Sequence, residues 1–216
     1  MTRKSQIKSK ERVADHGEVF TAEREVNAML DLVKPETARV DSRFFEPACG
    51  DGNFLAEILR RKLAVVKSRY GRSPADYEQY AVIAVASIYG VDILQDNVAE
   101  CRARLFSIFD KKYSAVCKSS ANDATREAVK YILFRNILCG DALTLKASGD
   151  TPIIFSEWSA VTGGLLKRRD FRLDQMLKSD KADVPLLAYD EKSKAWIPLP
   201  IKEFPPIHYR RIQEHG

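Results

Sequence analysis

From Thr21 the chain sets Val26, Met29, Leu30 and Val33 at helical spacing among polar residues, which predicts a helix with one buried stripe. Thr21 stands where it can cap that helix, Glu23 and Glu25 suit its positive end, and Pro35 lies just past its finish. The pattern then shortens. Ser42 to Pro47 reads as a brief buried strand running into a turn at Ala48 to Asn53. Phe54, Leu55, Ile58, Leu59 and Leu63 next share one face of a strong helix. Ser73-Pro74 breaks the chain before a second helix over Ala75 to Ser87, and Ile88 to Ile93 is a strand. Val98, Cys101, Leu105 and Phe109 stripe a third helix over Asn97 to Phe109. Lys112 to Asp123 reads as a loop and Ala124 to Tyr131 as a helix, while Ile137 to Gly140 and Pro152 to Phe155 read as strands.

Strands separated by helical segments favour a mainly parallel α/β sheet with helices on both faces. Beyond residue 165 the pattern changes. Leu173 to Leu177 predicts a short helix, and Val184 to Tyr189 and Ala195 to Ile197 flank a polar turn, as in a hairpin. Pro185 restricts its first strand to an edge, and Pro198, Pro200 and Pro205-Pro206 predict an extended tail. The expected organisation is a basic arm over 1–15, disordered or loosely helical, a principal domain over 16–165, and a C-terminal extension over 166–216.

Charge adds a partner to this picture. The net charge of +5 is concentrated in Arg3 to Arg12, Lys167-Arg168-Arg169 and Arg210-Arg211, clusters that suit a polyanion such as DNA or form a solvated surface. No apolar run approaches the roughly 20 residues of a membrane span. The basic N-terminus has no apolar segment behind it, so no secretory signal is expected. Cys49, Cys101, Cys117 and Cys139 lack metal-binding spacing, which points to reduced thiols, no metal and a cytoplasmic setting.

Chemistry concentrates in Glu46-Pro47-Ala48-Cys49-Gly50-Asp51-Gly52-Asn53-Phe54. Gly50 and Gly52 let the backbone turn sharply between a strand and a helix start, where free N–H groups can meet a ligand. This stretch resembles motif I of the amino-methylating, adenine-specific DNA methyltransferases of restriction-modification systems. Gly17-Glu18-Val19-Phe20-Thr21 resembles their motif X, with Ala22 in place of the usual proline. Tyr89-Gly90-Val91-Asp92-Ile93 resembles motif II and Cys139-Gly140-Asp141-Ala142-Leu143 resembles motif III. The resemblance covers about residues 16–155. It implies a Rossmann-like S-adenosyl-L-methionine-dependent methyltransferase fold. It also implies cofactor contacts from Phe20, Thr21, Glu46, Pro47, Ala48, Cys49, Gly50, Gly52, Asn53, Phe54, Asp92, Ile93, Asp141 and Ala142. Asp92 would accept both ribose hydroxyls, Ile93 would flank the adenine, and Asp141 would face its amino group.

The family's Asn/Asp/Ser-Pro-Pro-Tyr/Phe motif, which holds the target amine, is absent, and Ile153-Ile154-Phe155-Ser156-Glu157-Trp158-Ser159 stands in its place. One expectation is that Ser156 or Glu157 accepts the amine's hydrogens and Trp158 stacks on the base. The other is that Trp158 packs in the core. Lys167, Arg168 and Arg169 are the candidate phosphate contacts, which would position DNA without reading it. Three functions stay open: methyl transfer to N6 of adenine in DNA, a cofactor- or DNA-binding module acting with a specificity or restriction subunit, and methylation of RNA or a protein amide.

Overall fold

The computed structural model describes residues 7–176, 187–190 and 195–216. At its centre Ile88–Asp92 (β2) is buried along its whole length. It lies between Phe44–Glu46 (β1) and Ile137–Cys139 (β3) in a three-stranded parallel sheet, with Phe45 opposite Tyr89 and Asp92 opposite Cys139. Parallel neighbours need long crossovers. Each one here carries two helices, Asn53–Tyr70 (α4) and Pro74–Ala86 (α5) before β2, then Gln95–Cys117 (α6) and Asp123–Asn136 (α7) before β3.

Local chemistry fixes these boundaries. Ser73 Oγ accepts from the Asp76 N–H to start α5, with Pro74 in its first turn, and the Asn122 side chain accepts from the Ala124 N–H to start α7. The loop expected over 112–123 is instead mostly helix. Tyr113 and Cys117 continue the buried stripe of Val98, Cys101, Leu105 and Phe109, so α6 continues to Cys117. Lys62 on α4 is fully buried and donates to the Val40 carbonyl (3.0 Å), the Ser42 carbonyl and Ser87 Oγ (2.7 Å). Burial pushes its ammonium down to about 7, while three acceptors favour the charged form. That clamp sets where β1 begins.

The two faces of the sheet are covered differently. On one, a Cβ added to Gly90 would stand 2.8 Å from Leu55 Cδ1, so α4 lies directly against the strand. On the other, Phe45 and Tyr89 meet the Phe155 ring edge-on at 5.5 and 5.6 Å. Phe155 belongs to Ile154–Val161 (β4), which pairs antiparallel with Leu165–Arg172 (β5). A second, antiparallel sheet therefore packs where helices alone were expected. Lys202–Glu203 and Ile207–His208 also pair with β5. The expected boundary at 165/166 falls inside this hairpin, just after its glycines at φ 82° and 72°.

The ends of the chain are more ordered than the pattern implies. Lys10–His16 (α1) is helical, with Ser9 as its cap. Glu23–Leu32 (α2) starts at Ala22 rather than at Thr21, Glu25 accepts from the Ala22 N–H at 3.1 Å, and the short helix Lys34–Thr37 (α3) follows. After the short helix Leu173–Met176, Leu187–Asp190 and Ala195–Pro198 pair as the expected hairpin. Residues 1–6, Leu177, Val184, Pro185 and the hairpin's turn lie outside the described residues. The expected extended tail closes the core instead. Tyr209 and Ile212 are buried in a last helical turn, and the buried Glu78 of α5 accepts from the hydroxyls of Tyr113 and Tyr209 (2.5 Å) and from Arg210 Nε (2.6 Å).

Candidate functional site

All three parallel strands run the same way, so their carboxyl ends gather on one side, the side open α/β sheets use for ligands. There the chain turns from β1 into α4. The Cys49 N–H donates to the Val91 carbonyl (2.9 Å) and the Gly52 N–H to the Cys49 carbonyl (2.8 Å). Gly50 (φ 53°) and Gly52 (φ 86°) are left-handed. A Cβ on Gly52 would stand 2.6 Å from Cys101 Sγ, and one on Gly50 would stand 2.9 Å from Phe20 Cε1. Both conformation and proximity therefore require glycine at 52, and the Phe20 ring presses on the turn at 50. α4 then begins with no side-chain cap and no acidic residue in its first turn.

Asp92 holds this turn in place. Its Oδ2 accepts from the Gly50 N–H at 2.8 Å, and its Oδ1 accepts from the Leu94 N–H at 2.9 Å and from Asn97 Nδ2 at 3.1 Å. A carboxylate offers about four acceptor positions, so these three donors leave room for about one more, at Oδ2.

Motif order becomes spatial neighbourhood. The Thr21 carbonyl accepts from Asn53 Nδ2 at 3.1 Å, and Asn53 Oδ1 accepts from Arg104 at 2.7 Å, beside the Arg104–Asp51 pair at 3.2 Å. Glu46 is half-buried, and burial raises its carboxyl against the opposing Ala48 N–H. Pro47, Ala48 and Ile93 are exposed, and Phe54 packs against the core. The Cys49 thiol is pushed far up by its hydrogen bond with Cys101 and by burial, which makes it an inert packing group. One strand over, Gly140 donates to the Asp92 carbonyl, and Asp141 caps its own turn by accepting from the Leu143 N–H at 2.8 Å. Ala142 is half-buried there and Leu143 is exposed. Phe20, Thr21, 46–54, Asp92, Ile93, Asp141 and Ala142 thus gather at one end.

Ser156, Glu157 and Trp158 do not join them. Glu157 pairs with Arg43, which precedes β1, and Trp158 Nε1 donates to Asn136, which precedes β3, at 2.8 Å. Both partners sit at the amino ends of the strands. Ser156 is fully buried, donating to Asp170 Oδ1 (2.7 Å) and accepting from Arg135 and Arg168. The assignment of this trio to amine binding is corrected: the stretch packs the core, because β4 crosses the opposite end of the sheet. The phosphate-contact assignment is corrected for Arg168, while Lys167 and Arg169 remain about one-third exposed. Arg168 is 2% exposed and forks onto Asp170 at 2.8 and 2.7 Å, Lys167 pairs with Glu203, and Arg169 pairs with Glu157.

Sequence reasoning missed Asn97, Glu18, Arg12 and Lys8, which link the N-terminal arm to Asp92. Asn97 sits at a helix start, where an asparagine is ordinary, so only its near-complete burial marks it. An open groove of about 590 Å³ lies elsewhere, lined by Arg102, Phe106, Lys130 and Phe134. It flanks the amino end of β3, where Arg102 donates to the Ile137 carbonyl. Among the described residues no helix is long and apolar enough to cross a membrane, and no cluster of His, Cys, Asp or Glu could hold a metal ion. Among known proteins no family model matches the chain, and no curated protein and no solved structure matches it either.

Proposed function

We propose that the chain binds S-adenosyl-L-methionine at the carboxyl ends of β1 to β3 and is the methyl-donor-binding chain of an adenine-specific DNA methyltransferase. One observation carries the reading: a left-handed glycine turn pinned to a strand-end carboxylate, with Phe20 and Thr21 packed beside it. In this reading the parallel sheet with its doubled helical crossovers is a Rossmann-like cofactor domain, and the antiparallel sheet is its extension.

The residues fit a nucleoside. Phe20 and Cys101 close the Cβ sides of Gly50 and Gly52, so the turn meets a ligand through the uncapped N–H groups at the start of α4, which suit a carboxylate. The remaining acceptor position of Asp92 suits one sugar hydroxyl. Exposed Ile93 and Leu143 offer apolar flanks for a base, with Asp141 at the adjoining turn. When bound, the cofactor supplies an electrophilic methyl group, so the protein's task is alignment rather than acid–base chemistry.

A second reading rests on the burial of Ser156, Trp158 and Arg168. With those residues committed to the core, the group that holds the target amine and the surface that holds DNA come from a partner, such as a specificity or restriction subunit. Calorimetry with S-adenosylmethionine followed by a tritiated-methyl assay on unmethylated DNA, RNA and protein tests both readings. The expected result is binding that Asp92→Ala weakens by about tenfold or more, the loss of one charge-assisted hydrogen bond. Labelled adenine in DNA supports the first reading, and binding without transfer supports the second. Label in RNA or protein redirects the substrate, and absence of binding overturns both.

A further inference from the structure

The Asp92 carboxylate is held from behind. Asn97, 1% exposed, donates from one amide nitrogen to Asp92 Oδ1 (3.1 Å) and to Glu18 Oε1 (2.6 Å). Its Oδ1 accepts from Lys8 Nζ (2.8 Å) and Arg12 Nη2 (3.2 Å), so the amide uses all of its hydrogen-bonding capacity. Outward from it, Arg12 forks onto Glu18 at 2.6 and 2.7 Å and reaches Asp96 at 2.6 Å, while Lys8 pairs with Asp96 (3.3 Å) and Glu100 (2.9 Å). The same segment ends at Phe20, whose ring presses on Gly50. Residues 8–20 are therefore fastened twice, to the start of α6 by charge and to the glycine turn by an aromatic ring.

We propose that Asn97 is a positioning residue that fixes Asp92 and joins it to residues 8–20, which form a strap whose seating and nucleoside occupancy are coupled. The proposal rests on the reading of this end of the sheet as a nucleoside site. Two features of the contacts favour coupling over a passive brace. The Asn97–Asp92 bond is buried, whereas the ion pairs that carry Lys8 and Arg12 across to Asp96 and Glu100 reach half-exposed carboxylates and are individually weak and screened by salt; the Arg12–Glu18 pair, on a nearly buried carboxylate, lies within the segment itself. The strap is thus held by a small margin to a buried node that touches the ligand-binding carboxylate. Arg12 holds Glu18 below the usual carboxylate range and Asp96 down to about 2, so both partners stay charged near neutral pH. A ligand that orders Asp92 must then strengthen strap seating by the factor by which seating strengthens the ligand.

Amide hydrogen exchange over residues 12–18 and calorimetry with S-adenosylhomocysteine, which has no net charge, test the coupling in the full chain. Ligand is expected to raise protection of those amides. Asn97→Leu is expected to abolish the protection and weaken binding by about tenfold, the loss of a hydrogen bond to a charged group. Arg12→Ala, which touches neither Asp92 nor the turn, is expected to abolish protection and weaken binding about threefold, in the range of exposed ion pairs. The double variant should bind no more weakly than Asn97→Leu alone, because both act through one strap. Raising salt about tenfold should weaken wild-type binding and leave Arg12→Ala unaffected. Additive losses, or wild-type protection in Arg12→Ala, overturn the strap. If the wild-type chain binds no S-adenosylhomocysteine, the nucleoside reading falls on its own. Arm protection in Asp92→Ala then decides the linkage: reduced protection supports it, and unchanged protection overturns it.

Discussion

The two ends of the parallel sheet use polar residues in opposite ways. At the amino end Arg168 donates through all three of its guanidinium nitrogens, to Asp170, Ser156 and the Tyr131 hydroxyl, and its Cζ lies 4.2 Å from the Phe204 ring centroid. Trp158 and Asn136 satisfy each other nearby, and Asn136 also donates to the Ile88 carbonyl. At the carboxyl end Asp92 keeps one acceptor position, α4 starts without a side-chain cap, and apolar Ile93 and Leu143 face solvent. The first arrangement turns its polar groups inward and makes structure. The second stops short of saturation, and it is this incompleteness that the proposed nucleoside site would use. Charge in the sequence is therefore a poor guide to ligand contact here, because Arg168, at the middle of a run of three basic residues, serves the interior.

Three substitutions would break or sharpen that contrast. Arg168→Met has the largest expected effect. Removing Arg168 leaves Asp170 with the longer Arg135 pair at 3.2 Å as its remaining countercharge, and should cost toward the lower end of about 3–5 kcal/mol in urea unfolding. A loss under about 1 kcal/mol, the scale of a surface pair, would show that the amino-end cluster is solvated after all. Gly52→Ala comes next. A left-handed φ and a Cβ driven into Cys101 should cost about 2–3 kcal/mol and abolish S-adenosylhomocysteine binding in calorimetry. Normal binding in that variant would remove the glycine turn from the site. Trp158→Phe should do least, about 1 kcal/mol for the lost bond to Asn136, with ligand affinity unchanged. A marked fall in affinity would place the amino end within the binding site.

The parts of this molecule legible in its sequence are those governed by local rules. Helical spacing marks α4 to α7, and Gly50, Gly52 and Asp92 announce a turn after one strand and a carboxylate after the next. What escapes depends on partners distant in the chain. The segment Lys167 to Asp170 reads as a basic turn because four charged residues stand together. Yet strand alternation sends Arg168 and Asp170 inward while Lys167 and Arg169 stay at the surface. Polar side chains at strand period give no hydrophobic signal, so the β4–β5 hairpin stays hidden beyond Phe155. The continuation of α6 was available, since Tyr113 and Cys117 extend its four-residue spacing past two lysines. The fastening of Asp92 to the glycine turn was not, because its Gly50 donor lies 42 positions away in the chain.

The anchoring of Glu78 bears on how the protein reaches its native state. Tyr209 and Arg210 lie 131 and 132 positions away from it along the chain. A helical layer assembled without them would enclose a carboxylate beside the Tyr113 hydroxyl but without its Arg210 countercharge. Cooperative closure must therefore wait for residues 209–212, and a ribosome-bound chain lacking them would hold its helices loosely, as substrates for chaperones.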